Sequence, residues 1–236
     1  MEVQQLWPGG PLFRQSEHFK LSTDSVLLAD FVQIRGAKRG IDLGCGSGIL
    51  SLLLAQKSAG LRMTGLELLP EAAAAARENA AMNGMDSRIE VLEGDIRECR
   101  ALFRAGSFDL AVSNPPYFPA ERGAVAPRAD RAAARAEASC SLSELCDAAA
   151  FLLRTGGSFF LVHRPERLSE LCCCLSERGL EPKRLRLVCH RAESAPSLVL
   201  LEARRGGRPG LQIEPMLVLS SSDGTESEEF RRIYHR

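Results

Sequence analysis

The sequence has no net charge: 30 lysines and arginines are balanced by 30 aspartates and glutamates. A global basic signal for nucleic acid is therefore absent. A basic face can still arise where charge is segregated, and the arginine positions point to one. No apolar run reaches the roughly 18 residues that a membrane span needs. The N-terminus is polar and lacks the charged and apolar regions of a signal peptide, so none is expected. No internal repeat or low-complexity linker stands out. There are eight cysteines, but no C-x-x-C pair, so metal and disulfide spacings are missing. Cys172, Cys173 and Cys174 are neighbours in an expected helix. They point in different directions there and cannot share one metal. The cysteines read as reduced thiols that serve as small apolar residues in a cytosolic protein. His18, His190 and His235 have no partner spacing for metal or triad chemistry, and no metal site is expected.

What is present reads as one soluble globular unit, 45% hydrophobic and 25% charged, with room for a full core. It is organised around Ile41-Asp42-Leu43-Gly44-Cys45-Gly46-Ser47-Gly48-Ile49-Leu50. This stretch reads as the end of a buried strand, a glycine-rich turn and the start of a helix through Leu52, Leu53 and Leu54. Ser47 is the expected cap of that helix. The alternating glycines let the backbone take positive φ and approach a ligand with no Cβ in the way. Amides at the helix start then point at whatever lies over the turn. A dinucleotide-binding turn, G-x-G-x-x-G, would need a third glycine at 49, where the chain has Ile49.

Taken in order, residues 1–21 read as irregular, with a short hairpin expected between Leu12–Gln15 and His18–Leu21. Ser22-Thr23-Asp24 caps a helix that Gly36 ends. Strands are expected at 39–43, 61–67, 89–92, 108–112 and 158–162, with helices at 47–58, 71–83, 141–153 and 165–178 between them. Two further strands, Pro182–Cys189 and Ser197–Ala203, have no helix between them. A tail after Gly206 carries one short apolar run, Met216-Leu217-Val218-Leu219. Alternating strands and helices imply an α/β fold of three layers, with a mostly parallel sheet covered on both faces. The simplest organisation is an N-terminal extension with a capped helix (1–37), one domain (38–206) and a C-terminal tail (207–236).

In such sheets ligands sit at the carboxyl ends of the strands, at the switch point. Asp42, Glu67 and Asp95 end three successive strands. Glu67 follows the glycines by about 20 residues, the spacing of an acid that holds ribose hydroxyls. After strand four comes Asn114-Pro115-Pro116-Tyr117, the most specific chemical signal in the chain. It resembles the N-P-P-Y signature of methyltransferases that act on planar amide or exocyclic amino nitrogens, and such a nitrogen on adenine is a poor nucleophile, because its lone pair is delocalised into the ring. Two fixed acceptors for its N–H groups pull it towards tetrahedral geometry and free the lone pair. Asn114 Oδ1 and the Pro115 carbonyl can be those acceptors, and the prolines stiffen the loop that holds them. Tyr117 offers a flat face for a substrate base. No strong base is needed before attack, so His163 reads as a loop residue near the site.

Asp42, Gly44, Gly46 and Gly48 match the D-x-G-x-G-x-G first motif of the class I S-adenosylmethionine-dependent methyltransferases, which the chain resembles. That resemblance implies a Rossmann-like fold with a mostly parallel seven-stranded sheet and an antiparallel edge strand. It implies S-adenosylmethionine as cofactor. Asp42 would then lie near the methionine amino group, Glu67 would bind the ribose, Asp95 the adenine amino group, and Ile96 would pack on the adenine. Asn114 would border the cofactor as well as the substrate. The N-P-P-Y tetrapeptide is shared by adenine N6 enzymes and by glutamine N5 enzymes of release factors. Further stretches resemble the tRNA1(Val) adenine-37 N6-methyltransferase family: Phe13-Arg14-Gln15, Ser22 through Phe31, Ala134-Arg135-Ala136-Glu137, Val162 through Leu168 and Pro196 through Ala203. Ala136 stands where that family usually has histidine. The resemblance implies a tRNA substrate and a cytoplasmic protein, by default a monomer.

Arg122, Arg128, Arg131 and Arg135 follow the catalytic motif. Arg164 and Arg167 follow strand five on the same edge, and Arg204, Arg205 and Arg208 form a third cluster. Contacts of this kind to phosphates give salt-dependent affinity without reading sequence. The glutamine N5 reading, whose family carries a separate N-terminal helical domain, stays open. So does a non-catalytic RNA-binding module of the same fold.

Overall fold

The computed structural model describes residues 3–14, 22–116 and 140–235. The strands are β1 (Val3–Gln5), β2 (Leu12–Arg14), β3 (Arg39–Leu43), β4 (Arg62–Glu67), β5 (Ile89–Glu93), β6 (Phe108–Ser113), β7 (Leu153–His163), β8 (Leu180–Cys189), β9 (Leu198–Arg205), β10 (Gln212–Ile213) and β11 (Leu217–Val218). The α-helices are α1 (Thr23–Phe31), α2 (Ile49–Lys57), α3 (Pro70–Met82), α4 (Cys99–Leu102), α5 (Leu142–Leu152), α6 (Leu168–Glu177) and α7 (Glu228–Ile233). The main sheet runs β10-β8-β9-β7-β6-β3-β4-β5, with β11 also on β8.

All pairings in this sheet are parallel except those of β9, which is antiparallel to both β7 and β8. Side chains alternate between the two faces, as a pleated strand requires. Phe160 and Val162 join α1, α2 and α3 in one core, while Phe159 and Leu161 join α5 and α6 in the other. Strands buried on both faces explain the near-continuous apolar runs of the sequence. Within α3, Ala73, Ala76 and Ala80 face the first core and let the helix lie close to the sheet.

Several expectations need correction. Seven strands form the sheet's body as expected, but the tail adds β10 and β11, so nine strands pair in all. The antiparallel strand is not at the edge: β8 lies outside it, so β9 pairs on both sides. The hairpin of β2 is made with β1, in the register Gln4 to Phe13. The proposed partner, residues 18–21, lies outside the described residues. The helix α1 ends at Phe31, before Gly36, and β7 begins at Leu153 and runs through Gly156 and Gly157.

Buried polar groups tie these layers together. Glu202 on β9 is fully buried and meets Arg184 at 2.9 Å and Arg35 at 3.0 Å. Removing one partner of such a cluster leaves uncompensated charge in the interior. Glu202→Ala is expected to lower unfolding free energy in urea by roughly 3–5 kcal/mol.

Candidate active site

The carboxyl ends of β3, β4 and β6 converge on the glycine turn. Gly44, Gly46 and Gly48 have φ of 71°, 54° and 81°, conformations that side chains with a Cβ rarely adopt. The outer two serve different ends. A Cβ on Gly48 would stand 3.0 Å from the Ala76 Cβ, so this glycine lets α3 pack on the turn. Among the described residues, a Cβ on Gly44 would meet nothing nearer than Ile96 Cδ1 at 3.9 Å. Among those residues the space over Gly44 is open, and Ile96 borders it. The amides of Gly44 and Cys45 donate to the Leu66 carbonyl, which fixes the turn on the end of β4. Gly48 caps α2, and Ser47 does not: its hydroxyl is buried with no hydrogen-bond partner among the described residues.

Each acid expected at the site has a definite environment. Asp42 is 1% exposed. Its Oδ2 accepts from the Ser51 amide at 3.2 Å and the Ser51 hydroxyl at 3.0 Å, and its Oδ1 has no partner among the described residues. Burial pushes its carboxyl up to about 7, against the pull of Ser51. Glu67 accepts from the Gly46 amide at Oε2 (2.8 Å) and from the Leu69 amide at Oε1 (2.9 Å). Burial raises its pKa, and these amides oppose the rise. Asp95 caps the short turn Ile96–Glu98 by accepting from the Arg97 amide. The Arg97 guanidinium also grips both its oxygens, and these bonds hold the carboxyl below its ordinary range.

An open cradle at Gly44, three carboxylates and an orphaned acceptor at Asp42 Oδ1 make a site for a ligand that is cationic at one end and carries hydroxyls and an amino group. The donor set fits S-adenosylmethionine.

Asn114 follows β6, whose Ser113 hydroxyl donates to the Leu43 carbonyl at 2.8 Å and joins the ends of β6 and β3. The Asn114 Nδ2 donates to Ser25 Oγ at 2.9 Å and to Ser22 Oγ at 3.3 Å, both at the start of α1. A planar amide that commits its nitrogen side to α1 turns Oδ1 away from that helix. Ser22 stands at the cap position of α1, yet its hydroxyl makes no capping bond. At the other end of α1, Lys57 Nζ donates to the carbonyls of Ala29, Asp30 and Val32 at 2.7–2.9 Å. The helix is thus anchored behind and holds the asparagine in front. Pro115 and Pro116 are half-buried beside it.

Tyr117 and Arg122, Arg128, Arg131 and Arg135, like Ala136, lie outside the described residues. His163 is not a loop residue. It ends β7, is 2% exposed, and burial lowers its pKa to about 4, so it is neutral at pH 7. Arg164 is exposed at this edge and donates to the Ser197 carbonyl at 3.1 Å. Arg167 holds Glu170 in a two-point pair. Arg204 and Arg205 are not on this edge. Because β9 runs backwards, Arg204 pairs with Ser158 in the middle of β7, five residues before His163, and Arg205 lies further still from that end of the strand. Burial pushes the Cys45 and Cys146 thiols up, the latter to about 12, so both stay protonated. Among the described residues no group of His, Cys, Asp and Glu could hold a metal, and no helix is long and apolar enough to cross a membrane.

Sequence reasoning missed Ser25 and Lys57 as supports of Asn114. If the Ser25 hydroxyl fixes that amide, losing one buried hydrogen bond should cost about 1–1.5 kcal/mol. Ser25→Ala is therefore expected to slow the chemical step about tenfold, measured as a single-turnover rate.

Comparison with known proteins agrees with this geometry. The methyltransferase small domain model matches residues 17–170. The tRNA1(Val) (adenine(37)-N6)-methyltransferase of Tolumonas auensis is 36% identical over 212 residues, covering 89% of this chain and 86% of that protein. The enzyme of the same name from Aeromonas hydrophila is 35% identical with the same coverage of both chains. A solved structure of a predicted O-methyltransferase from Agrobacterium tumefaciens superposes with a TM-score of 0.72 at 22% identity, over 90% of this chain and 96% of its own. This last likeness is one of fold: a class I methyltransferase. On the sequence matches, the chain belongs to the tRNA1(Val) (adenine(37)-N6)-methyltransferase family.

Proposed function

We propose that this chain transfers a methyl group from S-adenosylmethionine to the exocyclic N6 of an adenine in tRNA, at an anticodon-loop position of a valine tRNA. The observation that carries the reading is Asn114, held by the Ser25 hydroxyl next to the glycine turn. We further read residues 38–206 as the catalytic domain with extensions on either side, and the protein as a cytoplasmic monomer.

In this reading Asp42 Oδ1 accepts from the ammonium of the cofactor's methionine part. Glu67 keeps its amide bonds and uses its remaining lone pairs for the ribose hydroxyls. Arg97 keeps Asp95 ionised, so the carboxylate accepts from the adenine amino group. Ile96, which borders the space over Gly44, would pack on the adenine ring. Bound S-adenosylmethionine supplies an electrophilic methyl group on sulfonium. Asn114 Oδ1 and the Pro115 carbonyl accept the two N–H bonds of the target nitrogen and free its lone pair for in-line attack. Tyr117 stacks on the target base. No residue needs to remove a proton before attack, and a neutral, buried His163 suits that. The proton leaves afterwards, when the methylated nitrogen is strongly acidic. An anticodon-loop adenine is already partly unstacked, so turning it into the pocket costs less than in a duplex. Arg122, Arg128, Arg131, Arg135, Arg164 and Arg167 are the proposed phosphate contacts.

The test is a competition for label. S-Adenosylmethionine with a labelled methyl group is offered bulk tRNA and a release-factor protein together. Label in tRNA, falling steeply as salt rises, is the expected result. Label in the release factor alone would favour glutamine N5 chemistry.

A further inference from the structure

Two asparagines four residues apart, Asn79 in the last turn of α3 and Asn83 at its C-cap, hold the backbone of β2. Asn83 Oδ1 accepts from the Leu12 amide at 2.9 Å, and its Nδ2 donates to the Leu12 carbonyl at 2.7 Å. Asn79 repeats the pattern two residues on. Its Oδ1 accepts from the Arg14 amide at 2.8 Å, and its Nδ2 donates to the Arg14 carbonyl at 3.1 Å. Four helix residues advance about 6 Å and two strand residues about 6.7 Å, so the two amides stay in step with alternate strand residues. The helix thereby does for β2 what a neighbouring strand would do.

Asn79 makes one bond that Asn83 does not. Its Nδ2 also donates to the Ser47 carbonyl at 2.9 Å, inside the glycine turn. Asn79 is 1% exposed, so water cannot readily replace these bonds. One buried amide therefore joins the turn to Arg14, and the chain beyond Arg14 leads into α1, which holds Asn114.

We propose that Asn79 is a positioning residue that couples the cofactor turn to the N-terminal hairpin. The proposal rests on reading residues 44–48 as the cofactor site. A ligand that orders the Ser47 carbonyl strengthens Asn79's hold on Arg14. By reciprocity, a seated hairpin improves cofactor affinity by the same factor. Asn83 grips the same strand, its Nδ2 also donating to the Asn79 carbonyl at 2.7 Å, and its side-chain hydrogen bonds go to Leu12 and Asn79 rather than to the turn, so it is the internal control.

The experiment is hydrogen exchange on the full chain with and without S-adenosylmethionine. Added cofactor is expected to slow exchange at the Arg14 amide together with amides of the turn. Asn79→Ala is expected to abolish the effect at Arg14 and to raise the cofactor Kd and KM about tenfold, with kcat at saturating cofactor within about threefold of wild type. Asn83→Ala should free the Leu12 amide and leave the cofactor Kd within about twofold. A general loss of stability would not split KM from kcat in this way. Protection of the turn with an unchanged Arg14 amide overturns the coupling alone. No protection of the turn overturns the site reading and the coupling with it. The wild-type comparison decides even if Asn79→Ala does not fold.

Discussion

Asn114→Ala is expected to lower the single-turnover rate of methyl transfer by about 10²–10³-fold, the range for removing one preorganised group that stabilises a transition state. The cofactor Kd should change by less than about threefold, because the loss lies in the transition state rather than in ground-state binding. The reason lies in where Asn114 sits. Its Nδ2 is taken by Ser25 and Ser22, and α1 is fixed from behind by Lys57. The acceptor is therefore oriented before substrate arrives, with no reorganisation left for the chemical step. Aspartate at 114 keeps an acceptor but loses the donor to Ser25. Asn114→Asp should thus fall between wild type and alanine. Equal losses for Asp and Ala would mean that the Ser25 bond matters as much as the acceptor.

Asp42→Asn is expected to weaken cofactor binding about 30-fold, the equivalent of about 2 kcal/mol for one charged hydrogen bond. The same substitution should change how the ligand-free protein responds to pH. The Asp42 carboxyl lies near 3.8 when unfolded and near 7 when folded. Between those values the folded state binds the extra proton, so stability falls as pH rises through the window. The full span is on the order of 4 kcal/mol, or about 10 °C in Tm for a chain of this size. Wild type without cofactor should lose thermal stability between pH 5 and pH 8, and Asp42→Asn should lose less. Cofactor should restore wild type most strongly at the higher pH, where its ammonium meets an ionised carboxylate. Melting curves at both pH values, with and without S-adenosylmethionine, check this. Parallel pH profiles for the two proteins would contradict the account of Asp42.

The parts of this molecule that were legible in the sequence are those set by short-range rules. The glycine turn, the acids at the ends of β3, β4 and after β5, and Asn114-Pro115-Pro116 each follow a strand whose apolar run announces it. The Ser25 bond was not legible, because it joins residues 89 apart in sequence. The Asn79 bond to Ser47 spans 32 residues and depends on how closely α3 approaches the turn. Ser47 looked like a cap because serine is a good one, but Gly48 in the left-handed conformation takes that place. Arg204 and Arg205 read in the sequence only as part of a third arginine cluster with Arg208. The reversal of β9 sends them away from the His163 end of β7, and strand direction is a tertiary fact. In the tail only the apolar run Met216-Leu217-Val218-Leu219 is legible, because two-residue strands such as β10 and β11 carry too little pattern to be seen.

The central claim is that Asn114 directs the methyl group to N6 of adenine in tRNA. It is tested most directly by digesting methylated tRNA to nucleosides and identifying the product by mass and chromatography, with Asn114→Ala alongside. The account predicts N6-methyladenosine from wild type and almost none from the variant, which should still bind S-adenosylmethionine. A different methylated nucleoside, or N6-methyladenosine formed equally well by the variant, would contradict it.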